Sequence, residues 1–289
     1  MNHLEYQYLY ALEYILKHGT LRADRTGVGR ISVFGYTMRF DISNQFPLLT
    51  TKKTAWNPIV SELLWFLKAT GDERELSSLV HGTREFTDKT KTIWTANALD
   101  PKWIAKSKFP AFHLGNIYGV QWRSWPHPDG SKIDQLQNVI DNIKKDPYSS
   151  RHVVSAWNVS DLENMALPPC HTLFQFYVDS KGHLSCHLFQ RSADFFLGIP
   201  FNIASYSLFI YMVAQVCGLK PGEFMHSITD AHIYANHIEQ IKEQLGRTPL
   251  AFPTVTLNPH VQNIDAFTKE DIFLHNYQSH AAIKAPMAV

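Results

Sequence analysis

The sequence predicts an α+β fold, with helices covering a substantial β-sheet. Three observations point there. Several segments repeat apolar residues at helical spacing, others alternate apolar with polar residues, and one long stretch is apolar on nearly every face. No internal repeat, low-complexity tract or linker divides the 289 residues, so they read as a single domain, 1–289.

Residues 6–18 place Tyr8, Leu9, Leu12, Ile15 and Leu16 on one side of a helix, with Gly19 as its stop. Residues 30–40 read as a strand, with a bulge at Gly35. Residues 58–69 form a helix with Pro58 in its first turn, and residues 134–145 another, carrying Leu136, Val139, Ile140 and Ile143. Residues 151–157, 171–178 and 184–189 read as strands. Residues 205–216 are apolar all round and predict a central buried helix, ended by Gly218 and Pro221. Residues 224–227 suggest a further strand and 232–245 a last helix.

Composition narrows the function. Lys+Arg 27 against Asp+Glu 26 leaves a net charge of +1, which argues against a dedicated nucleic-acid or membrane-surface binder. The apolar run 206–216 is shorter than the ~20 residues a bilayer requires. The start lacks a basic region followed by an apolar core, so no signal peptide and a cytoplasmic location are expected. The three cysteines, Cys170, Cys186 and Cys217, form no CxxC pair, and His232 and His237 are five apart, so no metal site is expected.

Cys170 stands directly before His171 in "MALPPCHTLFQFYV". Neighbours along a strand point to opposite faces, so His171 is poorly placed as its base. A positive charge favouring thiolate is the simpler activator, and Arg191, at the end of an apolar strand, offers one. Asn202 lies among Phe195, Phe196, Leu197, Ile199 and Phe201, and its donor–acceptor pair suits an imide-like edge such as that of uracil. Glu62 is surrounded by apolar residues of its helix. It is either desolvated with a raised pKa, as a general acid or base requires, or set on a single polar edge. "RADRTGVGR" (22–30) lacks the GK[ST] of a P-loop; it is an exposed turn or an anion site.

Together these segments resemble the thymidylate synthase family, over almost the whole chain. The motifs are "DRTGVG" (24–29), "FPLLTTKK" (46–53), "ELLWFLK" (62–68), "IYGVQWR" (117–123), "VSAWN" (154–158), "MALPPCH" (165–171), "QRSAD" (190–194), "GIPFNIASY" (198–206), "DAHIYANH" (230–237) and "IKAPMAV" (283–289). Both bacterial and phage-encoded members are similar, so the host cytoplasm is the alternative location. The resemblance implies a twisted mixed sheet packed back to back with its copy in a homodimer. It implies reductive methylation of dUMP to dTMP. The Cys170 thiolate adds to C6, 5,10-methylenetetrahydrofolate supplies both carbon and hydride, and dihydrofolate leaves; no metal takes part.

The roles implied are residue by residue. Arg191 would bind phosphate beside the Cys170 sulfur, with Arg25, Ser192 and, from the partner subunit, Arg151. Gln190 would contact dUMP, Asn202 would read its uracil edge, and His232 and Tyr234 would hold the ribose hydroxyl. Glu62 would organise proton transfer near O4, with Tyr118 and His171 in the hydrogen-bonded lining. Asp194 would act at the reaction centre, touch dUMP and hold the pterin, Lys52 would contact the tail or the folate glutamates, and Trp94, Gly198, Phe201 and the tail around Ala288 would complete the folate site. The resemblance extends to members that bind RNA, but the near-neutral charge and the lack of a basic-aromatic run place that below catalysis here.

Some positions depart from the family pattern. Ser150 stands before Arg151 where an Arg-Arg pair is usual, removing one guanidinium from the phosphate site. Thr95 replaces a usual aspartate, Asn116 a proline, Thr229 a glycine, and Ser279 and Ala281 two tail prolines, which predicts a looser tail. The alternative activity is a dUMP hydroxymethylase, in which water rather than hydride completes the reaction. Trp94 and the terminal "APMAV" favour hydride, and Asn202 disfavours dCMP.

Overall fold

A computed structural model describes residues 3–24 and 27–287. The helices, in chain order, are α1 (Tyr6–His18), α2 (Trp56–Lys68), α3 (Glu73–His81), α4 (Thr95–Ala98), α5 (Pro101–Lys106), α6 (Tyr118–Arg123), α7 (Gln135–Lys145), α8 (Gly198–Cys217) and α9 (Ile238–Leu245). The strands are β1 (Thr20–Arg22), β2 (Arg30–Asp41), β3 (Trp125–Pro126), β4 (Lys132–Ile133), β5 (Val153–Ser155), β6 (His171–Val178), β7 (His183–Asp194), β8 (Lys220–Tyr234), β9 (Thr254–Leu257) and β10 (Ile272–His275). Six strands form one sheet in the order β1-β2-β8-β7-β6-β5, antiparallel except for the parallel pair β7–β8. The α+β class with a mixed sheet under helices is therefore the observed architecture.

The first helix and strand β6 have the bounds that periodicity gives them. Asp134 lies just outside α7 as its N-cap, its carboxylate accepting from the Gln137 N–H. Elsewhere tertiary pairing overrides the local reading. Strand β5 keeps only Val153–Ser155 of the expected 151–157. Strand β7 runs on past residue 189 to Asp194, so Arg191 sits inside it rather than at its end. The expected helix over 232–245 is a correction: His232 and Tyr234 belong to the 15-residue β8, because β2 and β7 pair with it on both sides, and only Ile238–Leu245 is helical.

The central helix is also longer than its purely apolar run. At 20 residues, α8 is the one helix among the described residues long and apolar enough to cross a membrane. Its most apolar stretch is 78% buried in the protein, packed on β7 and β8, which is the environment of a core helix.

Gly35, φ 81°, marks an irregularity that crosses three strands. Phe34 pairs with Asp230 and Tyr36 with Ile228, while Gln190 pairs with Ile228 and Ser192 with Asp230. Gly35, Thr229 and Arg191 thus lie side by side outside the pairing. Each strand carries one extra residue, so the register is the same on both sides of the row. The inward-facing set inverts there: Cys186 and Leu188 give way to Ala193, and Phe224, His226 and Ile228 to Ala231 and Ile233.

Helices α1 and α8 cover one face of the sheet. The other is open and carries Phe34, Leu173, Tyr177 and Phe189, all exposed. On the covered side α6 lies directly on α2. A Cβ on Gly119 would come within 1.8 Å of the Phe66 carbonyl oxygen. Gly119→Ala therefore forces the helices apart; we expect a loss of about 3 kcal/mol, read from the urea midpoint, and a wild-type midpoint would contradict this packing.

Candidate active site

The site is built where β6, β7 and the start of α8 meet α2 and α6. Cys170 ends the loop before β6. Its backbone N–H donates to the hydroxyl of Tyr118 at 2.9 Å, and its carbonyl accepts from the N–H of Arg191 at 2.9 Å. The Arg191 guanidinium donates to the carbonyls of Pro169 (2.9 Å) and Pro168 (2.8 Å) and lies over the Trp157 ring. The cation is thereby fixed against the loop that presents the thiol.

Tyr118 is buried at the start of α6 with φ 25°. Burial raises its pKa well above the ordinary phenol value. The charges of Cys170 and Glu62 raise it further, while the Cys170 N–H and Arg191 oppose. Tyr118 therefore stands among the thiol, the cation and the carboxyl.

Glu62 faces inward on α2, only 8% exposed, so of its two sequence readings the desolvated one holds. Burial raises its pKa to about 7, against the hydrogen bond from the Trp94 indole N–H to Oε1 at 2.7 Å. Trp94 itself packs on Trp65, Phe66 and Tyr118. His171 is buried and held neutral, its pKa lowered by burial to about 4 against a hydrogen bond with Asn202. Its ring meets Tyr118 and Tyr206 edge-on.

A chain of amides fixes Asn202. The buried His226 Nε2 is 2.7 Å from Gln190 Oε1, and Gln190 Nε2 donates to Asn202 Oδ1 at 3.2 Å. An amide oxygen only accepts, so His226 carries its hydrogen on Nε2, Gln190 must turn its NH₂ to Asn202, and Asn202 has a set orientation. The sequence reading missed His226; its inward alternation in "FMHSI" was the available signal.

The remaining candidates gather one turn away. Asp194 closes β7, its Oδ1 accepting from the N–H groups of Phe196 (2.8 Å) and Leu197 (3.3 Å). A Cβ on Gly198 would lie 3.9 Å from Asp194 Cβ and 4.0 Å from Asn202 Oδ1, so Gly198 borders both. Lys52, expected at the tail or a folate glutamate, turns inward instead. Its ammonium donates to the Phe196 carbonyl and sits 3.5 Å above the Phe196 ring, and burial lowers its pKa to about 7 against the charge of Asp194. His232 is buried beside Tyr234, and Ser192 and Asp194 pair with Asp230 and His232 on β8. A cavity of about 170 Å³ opens beside Glu62, lined by Pro58, Leu76, Val80, Ile93 and Phe201. Its walls are mostly apolar, with His81, Lys91 and Thr92 also at its edge.

Arg151 is the exception. It is exposed, in the turn before β5, and among the described residues its side chain takes no part in this cluster. Arg25 and Ala288 lie outside the described residues. Among the described residues no group of three or more His, Cys, Asp or Glu is placed to hold a metal.

Two buried groups give opposite pH dependences. The Glu62 carboxyl titrates near 7 when folded against an ordinary 4.5, so the folded state binds more protons between those values and stability falls as pH rises through them. Lys52 titrates near 7 against 10.5, so the unfolded state binds more protons there and stability rises from about pH 7 upward. Urea unfolding at several pH values should show Glu62→Gln losing the falling component and Lys52→Met the rising one; unchanged slopes would place both groups in water.

The sequence matches the family described as Thymidylate synthase over residues 6–289. The match spans nearly the whole chain and takes in the loop of Cys170, the buried Glu62, the Arg191–Asp194 strand end and the start of α8 described above. The chain belongs to the thymidylate synthase family.

Proposed function

We propose that this protein converts dUMP to dTMP, with 5,10-methylenetetrahydrofolate as the source of both carbon and hydride. The observation that carries the reading is the Cys170 loop: held by Tyr118 at its N–H and gripped by Arg191 at the two preceding carbonyls, with the Tyr118 hydroxyl also in the field of Glu62, whose pKa burial raises to about 7.

In this reading the Cys170 thiolate adds to C6 of the pyrimidine, and the displaced electron pair moves through C5 toward O4. Glu62, part protonated at neutral pH, relays a proton at O4. Arg191 and Ser192 take the phosphate, and His232 and Tyr234 the ribose hydroxyl. Asn202, locked by Gln190 and His226, presents its donor and acceptor in one order, which accepts uracil and mismatches cytosine. The folate supplies the one-carbon unit and the reducing equivalent. Asp194, Gly198 and Phe201 would hold it, with Trp94 and the tail excluding water.

A homodimer in the cytoplasm belongs to the same reading. The open sheet face, with Phe34, Leu173, Tyr177 and Phe189 exposed, is the surface a second copy would cover. The exposed Arg151, away from the cluster, is free to serve the partner's phosphate site, with Ser150 beside it supplying no second charge.

Four measurements test this. Mass spectrometry of the product should find a methyl group accompanied by dihydrofolate absorbance; a product one oxygen heavier without dihydrofolate would identify a hydroxymethylase. Cys170→Ala should abolish tritium release from C5-labelled dUMP, and Asn202→Asp should shift preference toward dCMP. Mixing inactive Cys170→Ala and Arg151→Ala subunits should restore up to about one quarter of wild-type activity if Arg151 acts across the dimer, and none if it acts within its own chain.

A further inference from the structure

His237 lies in the 3-10 turn Ala235–His237 between β8 and α9 and is wholly buried. Its ring packs against Phe196 and Tyr234. Nε2 is 2.7 Å from the carbonyl oxygen of Pro286 in the C-terminal tail. That oxygen only accepts, so Nε2 carries the hydrogen and donates it. Nδ1 is left facing Asp194, 3.9 Å from Oδ1, beyond a direct hydrogen bond. One buried ring therefore touches the tail with one edge and faces the proposed pterin carboxylate with the other.

The rest of the tail shows why this contact matters. Upstream it is tied to a rigid segment: Tyr277 donates to the Leu49 carbonyl at 2.7 Å, the His280 N–H to Thr50 at 2.8 Å, and Arg247 to the Ala281 carbonyl at 2.6 Å. Among the described residues, Pro286 is the next hydrogen-bonded point along the tail. Pro286 is itself exposed while its carbonyl meets a fully buried donor, so the bond is not a by-product of burying the proline.

We propose that His237 is a positioning residue that latches the tail through Pro286, beside Asp194. The inference rests on the dTMP reading above, in which the exocyclic methylene intermediate has two fates. Hydride transfer gives the methyl product and oxidises tetrahydrofolate to dihydrofolate. Addition of water gives the hydroxymethyl product and leaves tetrahydrofolate unchanged. A latch acts on that choice, after the steps that release the C5 proton.

The test uses full-length His237→Ala, His237→Phe and His237→Gln. Phenylalanine keeps the ring's packing without a donor; glutamine can offer an N–H to Pro286. Tritium release from C5-labelled dUMP reads the early steps, dihydrofolate absorbance the last one, and carboxypeptidase digestion the hold on the tail. With His237→Ala and His237→Phe we expect tritium release within about 3-fold of wild type but about tenfold less dihydrofolate per tritium, with faster release of the terminal residues. His237→Gln should restore most of the ratio. An unchanged ratio in both Ala and Phe variants would overturn the latch alone. Wild-type enzyme that releases tritium without forming dihydrofolate would overturn the dTMP reading, and the latch with it.

Discussion

The row of extra residues at Gly35, Thr229 and Arg191 is the constraint on which the site depends. A side-chain period of two allows a strand one buried face, and a single inserted residue exchanges the faces. Three adjacent strands make the insertion together, so pairing survives while the inward set inverts. Before the row, β7 sends Gln190 inward to His226 and Asn202. At the row, Arg191 leaves the alternation and reaches the carbonyls of Pro168 and Pro169. Beyond it, Asp194 arrives at the strand end to start the turn into α8. The amide that fixes Asn202, the cation and the carboxylate thus come from five consecutive residues, 190–194.

Buried carboxylates anchor the other walls. Glu5, fully buried, accepts from the backbone N–H and hydroxyl of both Thr50 and Thr51, which satisfies its charge and sets the course of the chain into Lys52. Glu73, also fully buried, pairs with Arg74 and accepts from Thr92 and Thr95. That pair fixes the loop carrying Trp94, whose indole N–H then meets Glu62. Glu5 and Glu73 each accept several hydrogen bonds; Glu62 accepts one, from Trp94, and burial raises its pKa to about 7.

Much of this was legible in the sequence, and the omissions have physical causes. Helix α1 and strand β6 could be read because their apolar periods are determined by one buried face. The long β8 could not, since "TDAHIYANHIEQ" carries a helical pattern at its end and only pairing with β2 and β7 holds its first half extended. The unsuitability of His171 as a base for Cys170 followed from strand geometry, and its ring is indeed turned to Asn202, Tyr118 and Tyr206. The inward turn of Lys52 had no sequence signal, because it depends on the carbonyl and ring of Phe196, distant in sequence. The expected looseness of the tail overlooked Tyr277, His280 and His237, whose side chains or backbone hold it where prolines are absent.

The departures from the family pattern acquire reasons from their neighbours. Asp161 is buried and accepts from the side chains of Asn116, Gln121 and Asn164. Proline at 116 would remove one of these donors and also the Asn116 N–H bonded to the Asn164 carbonyl, so asparagine here stabilises the loop that leads into Tyr118. Thr95 donates to Glu73 Oε1 at 2.5 Å. An aspartate there would set a second carboxylate against a fully buried first, at a cost that one arginine offsets poorly. Both exchanges lie in segments next to Tyr118 and Trp94 and leave buried carboxylates with donors. Ser150 differs in kind: it is exposed, so the exchange there bears on the surface, and in the proposed dimer on the phosphate site, rather than on the packing of the fold.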